Sequence, residues 1–189
     1  GMKLDLLRHG ETERGGGFRG SLDDALTERG WAQMGAGIEG AGPWDALVSS
    51  PLQRCAGFAR DLQCRLGLPL SFEPELRELH FGQWEGRSAA ELMEDQAEGL
   101  GRFWNDPYSF TPPDGESLLD FEARVLAASE RLRVRFLGQR VLLVTHGGVI
   151  RILVARARQM ARSQLMQVEV AHGALFRLAS DGQGLRERP

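Results

Sequence analysis

The stretch LDLLRHGET, residues 4–12, runs apolar through Leu7 and then stops on a cation, an imidazole and a glycine. A short apolar run of this kind reads as a buried strand. Two readings of its end compete. In one, Arg8 is solvated, His9 closes a turn and Gly10 supplies the φ that the turn needs. In the other, the strand end is the floor of an anion site, and what the other strands deliver to the same place decides between the two.

Apolar, β-branched runs predict further strands at 45–50, 70–73 and 139–146, with a late pair at 167–171 and 174–179. Helices are expected between them. Thr27 caps one running to about residue 39, and Ser50 with Pro51 forms an N-cap and N1 pair for another reaching Leu66. SAAE, Ser88 to Glu91, fits a capping box. In ESLLDFEARVLAASERLRVRFL the residues Leu118, Phe121, Val125, Leu132 and Phe136 fall on one face, as expected of a helix packed on a sheet. Alternating strands and helices with short connections predict an α/β fold, a three-layer α/β/α sandwich with a mostly parallel central sheet.

At 189 residues the chain suits one domain, 1–189, able to bury a full core. No apolar run approaches the roughly 20 residues of a membrane span, and Met2 leads into a strand-like run rather than a signal segment. Gly1 ahead of Met2 reads as an expression scar. The formal charge of −3 gives no electrostatic case for nucleic acid. An anionic ligand must therefore be drawn by a local cluster. The cations are nearly all arginine, the better bidentate partner for phosphate, with Lys3 the only lysine. Cys55 and Cys64, on one helix and about 13 Å apart, are too distant for a disulfide. Reduced thiols suit the cytoplasm. His9, His80, His146 and His172 lack zinc-type spacing, so neither a metal nor another cofactor is expected.

Ligands of open α/β sheets bind beyond the carboxyl ends of the strands. Arg8 and His9 end the first strand, Ser49 and Ser50 end the second ahead of Arg54, and THGG (145–148) ends a later one. Three strands thus bring Arg8, His9, Arg54 and His146 to one sheet edge. Arg54 tells most: a cation in the first turn of a helix opposes the helix dipole unless an anion sits nearby.

With these residues in place the sequence resembles the histidine phosphatase superfamily, also called phosphoglycerate mutase-like, in LLRHGET, SSPLQR, ELHFGQWEG (78–86) and VTHGG, in that order and over essentially the whole chain. The resemblance implies a metal-independent phosphomonoesterase whose substrate is a small phosphate monoester. It implies His9 as the phosphorylated nucleophile, Arg8, Arg54 and His146 as the phosphate pocket and Glu78 as the proton donor. Gly147, Thr12, Gly15, Phe18 and Gly20 complete the expected phosphate and substrate contacts.

The chemistry is coherent on its own terms. Phosphoryl transfer needs an in-line nucleophile and cations around the equatorial oxygens. A neutral His9 can attack phosphorus while two guanidiniums and His146 hold the oxygens. A carboxylic acid can protonate the leaving alcohol and then take a proton from water. Spacing alone leaves Glu11, Glu75 and Glu85 as rivals; the resemblance selects Glu78. His80 and His172 read as structural, and Trp84 as core or pocket wall.

Two positions depart from the family pattern. Gly15 stands where an asparagine is usual, so the amides of Gly15 to Gly17 are expected to take over as an anion nest. Phe58 stands where a threonine is common, a change expected to alter packing. FRGSLDDALTERG (18–30) and PPDGESLLDFEARV (112–125) resemble the alpha-ribazole phosphatase branch, which implies removal of phosphate from alpha-ribazole 5'-phosphate in cobalamin biosynthesis. Both segments should border the pocket, with Phe18 stacking on a flat leaving group and Arg19, Asp23 or Asp24 bonding ribose hydroxyls. The alternatives are a broad-specificity sugar or nucleotide phosphatase, a phosphoglycerate mutase, whose inserted segments have little room here, and a non-catalytic phosphate-binding module.

Overall fold

A computed structural model describes residues 1–189. Its centre is a six-stranded sheet of β1 (Met2–Arg8), β2 (Ala46–Ser49), β3 (Leu70–Phe72), β4 (Arg140–Thr145), β5 (Leu175–Asp181) and β6 (Gly184–Glu187), in the order β3-β2-β4-β1-β5-β6. The pairs β1·β4, β2·β4 and β2·β3 are parallel, whereas β5 is antiparallel to both β1 and β6. β1 pairs with β4 from Lys3↔Arg140 to Arg8↔Thr145, so Arg8 and the residue preceding His146 end side by side.

Strand alternation divides the core in two. Leu4 and Leu6 of β1 and Val141 and Leu143 of β4 face one way. They pack with α5 (Leu118–Arg135) and α6 (Gly147–Ala157) through Phe121, Val125, Ile150 and Leu153. Leu7, Leu47, Leu142 and Val144 face the other way, toward α1 (Glu28–Gly37) and α2 (Gln53–Leu66), where Met34, Phe58 and Leu62 close the second core. Two short helices, α3 (Ala89–Asp95) and α4 (Ala97–Asn105), extend the first layer. The result is a three-layer α/β/α fold with a mostly parallel sheet. No helix is long and apolar enough to cross a membrane.

Several helix ends follow the local signals. The Thr27 side chain accepts the Gly30 amide at 3.0 Å, and Ser88 with Glu91 makes a reciprocal capping box. Phe58 is buried against Trp31, with ring centroids 5.7 Å apart, so the aromatic fills the core beside α1.

Other expectations are corrected. α2 starts at Gln53 with Leu52 as its N-cap, because the Ser50 hydroxyl accepts the Leu52 amide at 3.3 Å and thereby folds a turn ahead of the helix. No strand forms at 167–171. Residues Arg162–Gln167 are a 3-10 turn and the following segment is irregular; Val168 and Val170 alternate inward as a strand would, but their carbonyls bond arginines instead of a neighbouring strand. The alternation reported burial, not a ladder. α6 and β6 have no counterpart among the expected elements, because leading glycines and β-branched residues hide the helical pattern of α6 and the charged edge of β6 carries little strand signal.

Candidate active site

The carboxyl ends of β1, β2 and β4 open beneath a cavity of about 450 Å³. Arg8, His9, Glu78, Gly148, Arg151 and His172 form its polar floor, while Phe18, Phe81, Phe103, Leu118, Phe121 and Met166 form an apolar wall.

His9 sits at the end of β1, only 7% exposed. Its Nδ1 lies 2.8 Å from the Gly10 carbonyl. A carbonyl can only accept, so the proton resides on Nδ1 and the lone pair on Nε2. Burial, then the charges of Arg54 and Arg8, hold the imidazole well below the ordinary histidine range. His9 is neutral at neutral pH, the form that a nucleophile requires.

His146 caps α6 and is fully buried beside His9, the rings meeting edge-on with centroids 5.3 Å apart. Its Nε2 lies 2.7 Å from the Ser50 hydroxyl. Burial first, and then Arg54, keep it well below the ordinary range too. Arg54 is likewise buried. One of its terminal amino groups donates to the Leu22 carbonyl and the other to the Gly20 carbonyl at 2.9 Å, while Nε is buried without a partner. Its charge thus sits next to both histidines as its donors fasten the loop 19–22.

Arg8 donates from one terminal nitrogen to the Val170 carbonyl at 2.6 Å and keeps a buried, unpartnered Nε. Burial lowers its pKa, Arg151 and Arg54 add to that, and Glu78 opposes it. Glu78 accepts the Leu79 amide on Oε1 and the Gly148 amide on Oε2, both at 3.0 Å. The second bond ties the carboxylate to the first turn of α6. Among the rival carboxylates, Glu85 accepts amides from Gly20, Ser21 and Phe81, and Glu75 pairs with Arg77 at 3.0 Å, so both serve loops. Glu11 does line the cavity, with Oε2 accepting the Thr27 hydroxyl at 3.0 Å.

The structure gathers Arg8, His9, Thr12, Gly15, Phe18 and Glu78 around the cavity, with Arg54, His146 and Gly147 packed behind its floor. Gly20 lies outside. Its amide bonds Glu85, and a side-chain carbon there would meet the Leu79 carbonyl at 1.9 Å, so the position is held by close approach of backbone. The Gly15 amide donates to the Thr12 carbonyl at 3.0 Å, which leaves only Gly16 and Gly17 for an anion nest.

The expected contacts of Asp23 and Asp24 are corrected as well: Asp23 accepts the Gln53 amide at 2.7 Å, and Asp24 is buried in an ion pair with Arg19 at 2.8 Å. Both carboxylates are spent on holding the loop. Of the segment 112–125, only Leu118 and Phe121 reach the cavity, because residues 112–115 pack on the turn at Gly82. Trp84 is fully buried core. Three residues of the floor lie outside the set of site residues expected from the sequence. His172, expected to be structural, lines the cavity instead, 5.9 Å from His9 between ring centroids. Gly148 is the last residue of THGG and Arg151 lies three residues beyond it, where the spacing from Gly147, one helical turn, is the signal for the arginine.

Residues 4–188 match the family model for the histidine phosphatase superfamily, branch 1. The chain belongs to the histidine phosphatase superfamily. The chain is 37% identical over 184 residues to the Mycobacterium tuberculosis bifunctional protein Rv2228c, a match covering 95% of the chain and 48% of that relative. It thus spans about half the length of the first curated relatives it matches. It is 33% identical over 176 residues to the Salmonella typhimurium adenosylcobalamin/alpha-ribazole phosphatase, covering 91% of the chain and 87% of the relative. Among solved structures, a mycobacterial glucosyl-3-phosphoglycerate phosphatase complexed with VO3 superposes with a TM-score of 0.86 at 28% identity, covering 98% of this chain and 96% of that one.

Proposed function

We propose that this histidine phosphatase hydrolyses small phosphate monoesters through a phosphohistidine on His9. The observation that carries the reading is the hydrogen bond from His9 Nδ1 to the Gly10 carbonyl, which presents the Nε2 lone pair of a neutral imidazole beside the Arg8 guanidinium. Nε2 attacks phosphorus, and the bond from phosphorus to the alcohol oxygen breaks. Protonated Glu78 gives its proton to that oxygen. In the second half Glu78 takes a proton from water, the hydroxide adds to phosphorus and the Nε2–P bond breaks, returning neutral His9 and inorganic phosphate. Arg8 offsets the charge on the equatorial oxygens; Arg54 fixes the loop 19–22 and keeps both histidines neutral. Guanidiniums supply the positive charge, so the reaction runs without a metal.

For substrate we propose alpha-ribazole 5'-phosphate, whose flat, largely apolar leaving group suits the wall of Phe18, Phe81, Phe103 and Met166. Residues 1–189 act as one catalytic domain, in the cytoplasm, where Cys55 and Cys64 stay reduced.

The test is a chemical quench after mixing with a substrate labelled in its phosphate. An acid-labile, alkali-stable phosphoprotein is expected, absent in His9→Ala and unaffected by a chelator. Label that survives His9→Ala would move the nucleophile elsewhere, and loss of turnover on chelation would remove the metal-free mechanism. Ratios of kcat/KM across alpha-ribazole 5'-phosphate, mononucleotides, sugar phosphates, glucosyl-3-phosphoglycerate and 3-phosphoglycerate then rank substrates by transition-state binding. A lead for alpha-ribazole 5'-phosphate supports the narrow reading, a flat profile leaves a broad phosphatase, and isomerisation of 3-phosphoglycerate without net hydrolysis would make it a mutase.

A further inference from the structure

Arg151 lies in the cavity floor without a role in the scheme above. It occupies the second turn of α6, four residues after Gly147, and helical side chains lean toward the N-terminus, so its guanidinium reaches back over the first turn. There it meets Arg8. A side-chain carbon placed on Gly147 would stand 3.2 Å from Arg8 Nε and 3.4 Å from an Arg151 terminal nitrogen, so the two guanidiniums flank one point.

Both are tethered by the same strap. Arg151 Nε donates to the Val168 carbonyl at 3.0 Å and Arg8 to the Val170 carbonyl at 2.6 Å. With Val168 and Val170 both buried, their alternation aims two carbonyls at two arginines, and this segment does so in place of forming a strand. The tethers leave the terminal nitrogens of Arg151 without protein acceptors and Arg8 Nε buried without a partner.

Two like charges at the positive end of a helix repel each other and the dipole. Glu78 is the carboxylate nearest to hand, and it already accepts two backbone amides. With Arg19 paired to Asp24, three guanidiniums, of Arg8, Arg29 and Arg151, face two carboxylates, Glu11 and Glu78, around the cavity. A dianion between Arg8 and Arg151 relieves the imbalance and supplies acceptors for the idle donors.

We propose that Arg151 is a second guanidinium for the substrate's phosphate group, clamping it together with Arg8. The proposal rests on the phosphatase reading and assigns a further residue to it. Because the clamp holds the phosphate rather than the alcohol portion, it acts on every substrate alike, and on inorganic ions that mimic the phosphoryl group.

Orthovanadate, which has no leaving group, is the probe. Arg151→Gln should weaken vanadate binding by about 10-fold or more, the scale of a hydrogen bond to a charged group, and Arg151→Lys should recover part of it. KM should rise for all substrates, with Tm near that of the parent. Vanadate binding at parental strength in Arg151→Gln would overturn the clamp. A second measurement needs no variant: vanadate should protect Arg151 of the parent protein from an arginine-selective dicarbonyl, leaving exposed Arg65 labelled as the internal control. Bound vanadate that leaves Arg151 equally reactive would overturn the clamp alone. Failure of the parent to bind vanadate at all would overturn the phosphatase reading and the clamp with it.

Discussion

Glu78 and Gly148 are in contact across the cavity floor: the Gly148 amide donates to Glu78 Oε2 at 3.0 Å, and a side-chain carbon on Gly148 would stand 2.2 Å from Oε1. The carboxylate can occupy this place only because position 148 has no side chain. Gly148→Ala should therefore displace Glu78 and cut kcat by about 100-fold or more, the scale of lost general acid catalysis, with little change in phosphate affinity. Single-turnover kinetics would read this as slow phosphorylation of His9, and parental rates in the variant would show that the contact is not needed.

The nucleophile should keep working in mild acid. Burial and the Arg54 and Arg8 charges hold His9 well below the ordinary histidine value, so the acid limb of kcat/KM should fall well below pH ~6.5. A limb at that value would mean that His9 titrates as a free imidazole.

Stability should fall over the same range. His9 and His146 both have lowered pKa values in the folded chain, so between those values and the unfolded value near ~6.5 the unfolded state binds more protons. Their contribution is full above that pH and is lost as pH drops. Tm is expected to decline from pH 7 to pH 5, ahead of the carboxylates, and less steeply in His146→Gln. A flat profile across this window would contradict the buried neutral state.

Arg54 should matter for stability as well as turnover. Removing its guanidinium leaves the Leu22 and Gly20 carbonyls unpaired, so Arg54→Ala should lower Tm and weaken vanadate binding together. Lysine should rescue neither fully, since an ammonium cannot span two carbonyls in a fork. Vanadate affinity lost with no change in Tm would mean that the residue acts on the ligand alone.

The two thiols should separate cleanly. Cys64 is exposed, whereas Cys55 is fully buried against His146 and burial pushes its thiol up to about 12. A thiol reagent should titrate one cysteine in the native protein and two after denaturation. Rapid reaction of both without denaturant would place Cys55 in an open site.

The sequence by itself determined the alternation of strands and helices, the mostly parallel character of the sheet and the strand ends where Arg8, His9 and His146 stand. Each rests on a short-range pattern: apolar runs, caps at Thr27 and Ser88, and a polar residue directly after a strand. Tertiary structure alone decided which of those polar groups face the cavity and which hold it together. Asp23, Asp24 and Gly20, expected as ligand contacts, and Glu85, a rival proton donor, are loop fasteners, since the amides and the guanidinium around them had to be paired first. The converse holds for 167–171. Its alternating valines carried the burial pattern of a strand, but β5, which follows, took the place beside β1, so the carbonyls of Val168 and Val170 were left to hold Arg151 and Arg8. Periodicity records which side chains leave water; the backbone's partners depend on what lies alongside, and that is set by contacts far apart in the chain.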